Sequence, residues 1–222
     1  MILRRKSKSD PVGEEAQTDS EATPTGPEAT PAESGAARTE GPWDVDEVTI
    51  DADDGAYVDL GGLIVKGREG LEVQIPSDPK SGNPAAVVFV NKEAALELRA
   101  FAAKRSGGLW EDVRSDIAGE AARLKGECEV VDGRHGPELH LQVPAKTPEG
   151  ADAVQPSRIV GVEGPRWFLR GTFYGKAAVQ PDDDGPLESA FRDVVVRRGD
   201  GPMAPRDALP IVIPENATPK ED

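Results

Sequence analysis

Cys128 is the only cysteine in this chain of 222 residues. No disulfide can form within it, so packing alone must hold the fold together, and a reducing, cytoplasmic setting is the natural expectation. Histidine is almost as scarce, with only His135 and His140. Neither has a second histidine or a thiol beside it, which leaves a zinc site poorly supported, and both are expected at the surface. Long apolar runs are missing as well. No stretch approaches the roughly 20 apolar residues needed to span a bilayer. The opening Met-Ile-Leu-Arg-Arg-Lys-Ser-Lys has the charged start of a signal peptide, but no apolar segment follows, so export by that route is not expected.

Apolar residues are also few between residues 10 and 42, where Val12 is the sole Val, Ile, Leu or Phe. Such a stretch cannot bury enough surface to offset roughly 1–2 kcal/mol of backbone entropy per residue. The expected organisation is a disordered tail over 1–42, a single domain over 43–214 and a loose end over 215–222. The net charge is −15, of which −12 belongs to residues 43–222, with 21 basic and 33 acidic groups. An acidic domain repels polyphosphate, which disfavours broad nucleic-acid binding.

Periodicity supplies the elements. Tyr57 to Val65 reads as a strand with a bulge at Gly61-Gly62. Leu71 to Ile75, Ala85 to Val90 and Leu96 to Phe101 read as further strands, two of them strictly alternating. Trp110, Val113, Ile117, Ala121 and Leu124 recur at helical spacing, with acids in the first turn, bases in the last, and Gly126 placed to stop the helix. Glu127 to Val131 and Glu138 to Val143 flank a turn signal at Asp132-Gly133. Arg158 to Val162 and Arg166 to Tyr174 flank Glu163-Gly164-Pro165 as a hairpin. A second helix is expected from Pro186 through Val195, closed by Arg197, Arg198 and Gly199. Ile211 to Ile213 reads as a short edge strand. Short connections force antiparallel pairing. The fold class is therefore α+β, a mostly antiparallel sheet with both amphipathic helices on one face. That order of elements resembles the Mog1/PsbP-like fold.

Candidate chemistry is thin. Cys128 follows a helix in an apolar strand and reads as a structural thiol. The runs Asp51-Ala52-Asp53-Asp54-Gly55 and Asp182-Asp183-Asp184-Gly185 lack calcium-loop spacing, and the second suits a helix N-terminus. Gly171 to Ala177 has three residues between its glycines where a phosphate loop needs four. No catalytic, cofactor-binding or metal-binding set emerges, so no cofactor is expected. The surface that stands out carries Arg166, Phe168, Arg170 and Tyr174, arginines and aromatics interleaved on one strand. Such residues are enriched at protein–protein hot spots and also stack nucleic-acid bases, but the first expectation is structural: Phe168 and Tyr174 packing under a helix, with the arginines paired to the domain's own carboxylates.

Four segments carry a family resemblance: Gly41-Pro42-Trp43-Asp44, Val58 to Leu63, Gly164 to Gly171, and Gly201-Pro202-Met203-Ala204-Pro205-Arg206-Asp207. Together they resemble an actinobacterial family, domain of unknown function 3710, over about Trp43 to Ile213. The resemblance implies a bacterial cytosolic setting and places the Pro-Arg-Trp and Met-Ala-Pro-Arg segments inside the ordered domain. It implies no catalytic residue and no cofactor. The expected function is a non-enzymatic recognition or accessory module working through protein–protein contacts, its partner and oligomeric state unspecified. The alternatives are a nucleic-acid-associated protein using strand 166–174, or an enzyme whose site is dispersed among acids such as Asp132, Asp184 and Glu188.

Overall fold

The computed structural model describes residues 39–50, 55–78, 81–84 and 86–214. Most of the tail expected over 1–42, the run from Asp51 to Asp54, and residues 215–222 lie outside the described residues.

In chain order the elements are β1 (Trp43–Asp44), β2 (Tyr57–Asp59), β3 (Leu63–Lys66), β4 (Glu72–Gln74), β5 (Val87–Val90) and β6 (Ala94–Ala102), then α1 (Leu109–Arg123). β7 (Glu127–Gly133), β8 (Gly136–Lys146), β9 (Asp152–Gly164) and β10 (Trp167–Gly175) follow. The chain closes with α2 (Lys176–Val179), α3 (Pro186–Arg192) and β11 (Val195–Val196). The larger sheet has seven antiparallel strands in the order β4-β5-β6-β10-β9-β8-β7. The smaller runs β1-β11-β3-β2, with β1 and β11 parallel. The molecule is thus α+β with mostly antiparallel sheets.

Alternation along β10 sorts the core. Trp167, Leu169 and Phe173 point to one face and are fully buried, in a cluster shared with Leu63, Val65 and Val196 of the smaller sheet and Phe191 of α3. Phe168 points to the other face, where it stacks on Trp110 of α1 with ring centroids 5.6 Å apart. Two glycines make these approaches possible. A Cβ on Gly161 would lie 2.4 Å from the Trp110 ring, and one on Gly171 would lie 2.6 Å from Phe191. The two helices expected on one face therefore lie on opposite faces, because each has its own glycine-cleared seat on its own side of the sheet.

Other expectations need correction at element ends. Tyr57 to Val65 is not one bulged strand but a β2–β3 hairpin, turned at Leu60 to Gly62 with Gly61 at φ 81°. The β7–β8 turn falls on Arg134-His135 rather than Asp132-Gly133. In α1 the residue that takes the left-handed conformation is Lys125 (φ 59°), and the Gly126 amide bonds back to the Ala121 carbonyl. Gly126 is needed instead for its approach to β8, since a Cβ there would lie 2.7 Å from the Gln142 carbonyl oxygen. Leu124, counted in the apolar stripe, is exposed.

The largest miss is α3, which stops at Arg192 instead of running to Arg198. Three consecutive β-branched valines follow, and Val195-Val196 find partners on both sides, Trp43-Asp44 and Leu63-Ile64. Tertiary pairing overrides a helical spacing there. The acidic run does not cap α3 either: Gly185 holds that position, and Asp182 turns its carboxylate to the Asp184 amide. Ile211 makes only a single bridge, to Gly61, so no edge strand forms at 211–213. Among the described residues no helix is long and apolar enough to cross a membrane.

Candidate recognition surface

α1 packs chiefly over β7, β8 and β9 and covers Phe168 at one end of β10; among the described residues, the rest of the β10–β6–β5–β4 half of that face lies away from it. The register there sets side chains in rows. Phe168 faces Phe101, Arg170 faces Arg99, Thr172 faces Glu97 and Tyr174 faces Ala95. Val88 and Val90 of β5 extend the rows beyond Glu97 and Ala95.

Opposing two arginines across a strand pair is unfavourable by itself. One carboxylate offsets it: Glu97 Oε1 accepts from Arg99 Nε at 2.7 Å and lies 3.7 Å from Arg170 Nη2. The Arg170 guanidinium also sits over the Phe101 ring, 5.8 Å from its centroid. Two cations therefore share one anion. The Nε of Arg170 is covered by protein yet has no hydrogen-bond partner. Burial pushes the Arg170 guanidinium below its usual value, with Glu97 opposing the change. Burial raises the Tyr174 hydroxyl, Glu97 adds to the rise, and the phenol stays a neutral donor.

The four residues singled out on strand 166–174 do not form one exposed face. Phe168 is 1% exposed beneath α1. Arg166 is not in the strand: it occupies the β9–β10 turn at φ 61° and donates to the Gly199 carbonyl at 3.2 Å. Arg170 and Tyr174 do share a half-buried face, and the structure adds Arg99 and Glu97 to them. The polar positions of the alternating run Leu96 to Phe101 already held both residues, but only the register sets Arg99 against Arg170.

On the opposite face lies a polar cluster that sequence reading did not assemble. Arg158, 4% exposed, is held by Glu138 at 3.1 Å and by Glu188 of α3, and stacks on Phe173 at 4.0 Å. His140 Nε2 lies 2.7 Å from the second oxygen of Glu138. Every strong partner in the cluster is taken, and the group ties α3 to the sheet. His135 is not at the surface as expected. It packs edge-on against Phe191 at 5.2 Å, and burial pushes its imidazole below the ordinary value, with Glu40 opposing. Burial raises the half-buried Cys128 thiol, the wrong direction for a nucleophile.

Among solved structures, the chain is similar to cyanobacterial PsbP (CyanoP) from Synechocystis sp. PCC 6803, at 9% identity and a TM-score of 0.36, over 67% of this chain and 98% of that one. No curated protein matches it. A family model matches residues 41–220, slightly more at both ends than the span of about Trp43 to Ile213 expected from the sequence. The chain belongs to the family described as Protein of unknown function (DUF3710).

Proposed function

We propose that this protein is a recognition module without a catalytic role, which binds an acidic segment of a partner protein through the open half of the seven-stranded sheet. The observation that carries this reading is the Arg99–Arg170 pair. Two guanidiniums face each other across β6 and β10 with one carboxylate between them, and one buried N–H is left without an acceptor. A carboxylate from outside would bring a second anion to the exposed part of this pair and relieve the like-charge opposition, and guanidinium forks match carboxylates bidentately. Tyr174 beside them offers a hydroxyl and an aromatic surface, the residue types that anchor protein interfaces. A protein carboxylate fits better than a nucleic acid, because the surrounding −12 charge repels a polyphosphate along its length.

The test is co-purification from the cells of origin using the wild-type chain and an Arg170→Gln variant, with folding checked by circular dichroism. A partner kept by the wild type and lost by the variant, with nuclease treatment making no difference, is the expected result. Equal recovery by both, loss on nuclease treatment, or recovery of nothing by the wild type overturns the reading.

A further inference from the structure

β7 ends the seven-stranded sheet, and among the described residues no strand lies against its outer side. Among the described residues its backbone bonds only to β8. An edge of this kind presents a row of unpaired N–H and C=O groups that can template another strand. β7 is well made for that use. It runs seven residues without proline, and its register with β8 is unbroken from Glu127↔Gln142 to Gly133↔Gly136.

Its two faces differ in chemistry. On the α1 side, Val130 is 56% exposed, large for a valine in the middle of a strand. On the other side Glu127 and Glu129 stand two residues apart, both exposed, and neither has an ion-pair partner among the described residues. These glutamates help line a groove of about 350 Å³ together with His140, Pro156 and the 59% exposed Val179 of α2. Acidic edges also serve simply to discourage aggregation. A purely protective edge, however, has no use for an exposed valine on one face and an open groove on the other.

We infer that β7 is the docking edge for a basic, extended segment of a partner protein, which pairs with it as a further strand. Main-chain bonds to the free edge supply affinity, and alternate side chains supply selectivity. Basic residues at every second position meet Glu127 and Glu129, and the residues between them lie against Val130. The partner is basic because the charges on this edge are uncompensated and the whole chain carries −15. The same charge makes a second copy of this chain a poor occupant. This surface is separate from Arg99 and Arg170, so either reading can fail without the other.

Binding is tested on the full chain by following amide resonances during titration with three peptides. One alternates lysine and valine, a second has the same composition in two blocks, and a third alternates glutamate and valine. The alternating lysine peptide is expected to shift resonances over 127–133 and to slow amide exchange there. The block peptide is expected to bind more weakly, and the glutamate peptide not at all. Reversing both charges, Glu127→Lys with Glu129→Lys, is expected to weaken binding about tenfold, the effect of two exposed ion pairs changed in sign. Both glutamates are exposed, so the variant should keep its fold. Equal binding of the block peptide, shifts centred elsewhere, or an unchanged affinity in the double variant overturns the inference. Self-association through β7 in the absence of peptide does so as well.

Discussion

Arg158 and Arg170 sit on neighbouring strands and show two fates for a buried cation. Arg158 has withdrawn almost wholly from water, and the cost of that is met by two carboxylates, a carbonyl and an aromatic ring. Arg170 keeps 24% of its side chain exposed and leaves one donor idle. The first arrangement is closed and structural, whereas the second has capacity left over. Closure makes Arg158 costly to remove. Replacing it with methionine strands Glu138 and Glu188 in the interior without their counter-charge, the situation that typically costs 3–5 kcal/mol. Urea denaturation of Arg158→Met should show a loss of about that size, together with early fraying of α3, whose Glu188 is the anchor. A loss below about 1 kcal/mol would mean that the cluster relaxes into water and is no anchor.

At the scale of elements, the seats of α1 and α3 depend on single glycines. Gly161→Ala drives a methyl group into the Trp110 ring, and either the ring or the helix must move. Overpacking of this kind costs about 1–3 kcal/mol, and combining it with Trp110→Leu should cost less than the two changes added separately. Additive losses in that double-mutant cycle would show that Trp110 does not rest on Gly161. The same elements mark what the sequence could and could not disclose. The alternation of Leu96 to Phe101 and the helical stripe of α1 are local signals, and both were readable. Val194 to Val196 carry a helical spacing and a strand composition at once, and the choice falls to pairing with β1 and β3, far away in sequence. The helices' opposite sides were hidden for a related reason. Gly161 and Gly171 reveal that they are seats only when the tryptophan and phenylalanine that fill them are known. The candidate surface was half legible: Arg170 and Tyr174 belong to it by alternation, Arg166 left it for a turn, and Arg99 joined it by register.

For the whole molecule, the decisive boundary is where the N-terminal chain meets the double sheet. Asp44 is 5% exposed and accepts from the Trp167 indole at 2.5 Å, linking the first strand of the smaller sheet to the central strand of the larger one. The Trp43 and Val45 amides bond to the carbonyls of Val194 and Val196, so β1 covers one side of β11. Just upstream, Glu40 forms a forked pair with Arg134 at the β7–β8 turn, and Gly41 passes close against the Arg192 carbonyl. Residues 1–38 hold five basic and seven acidic groups, so removing them changes the net charge by only two, and self-repulsion scarcely alters. A chain beginning at Thr39 should therefore unfold at the same urea concentration as the full chain. One beginning at Val45 lacks the acceptor for the Trp167 indole, which costs about 1–3 kcal/mol on its own, and it bares β11 as well. Its midpoint should fall well below that of the Thr39 chain, and the two transitions measured side by side decide the matter. Equal midpoints would place the boundary downstream of β1, and a large drop already at Thr39 would place it within the first 38 residues.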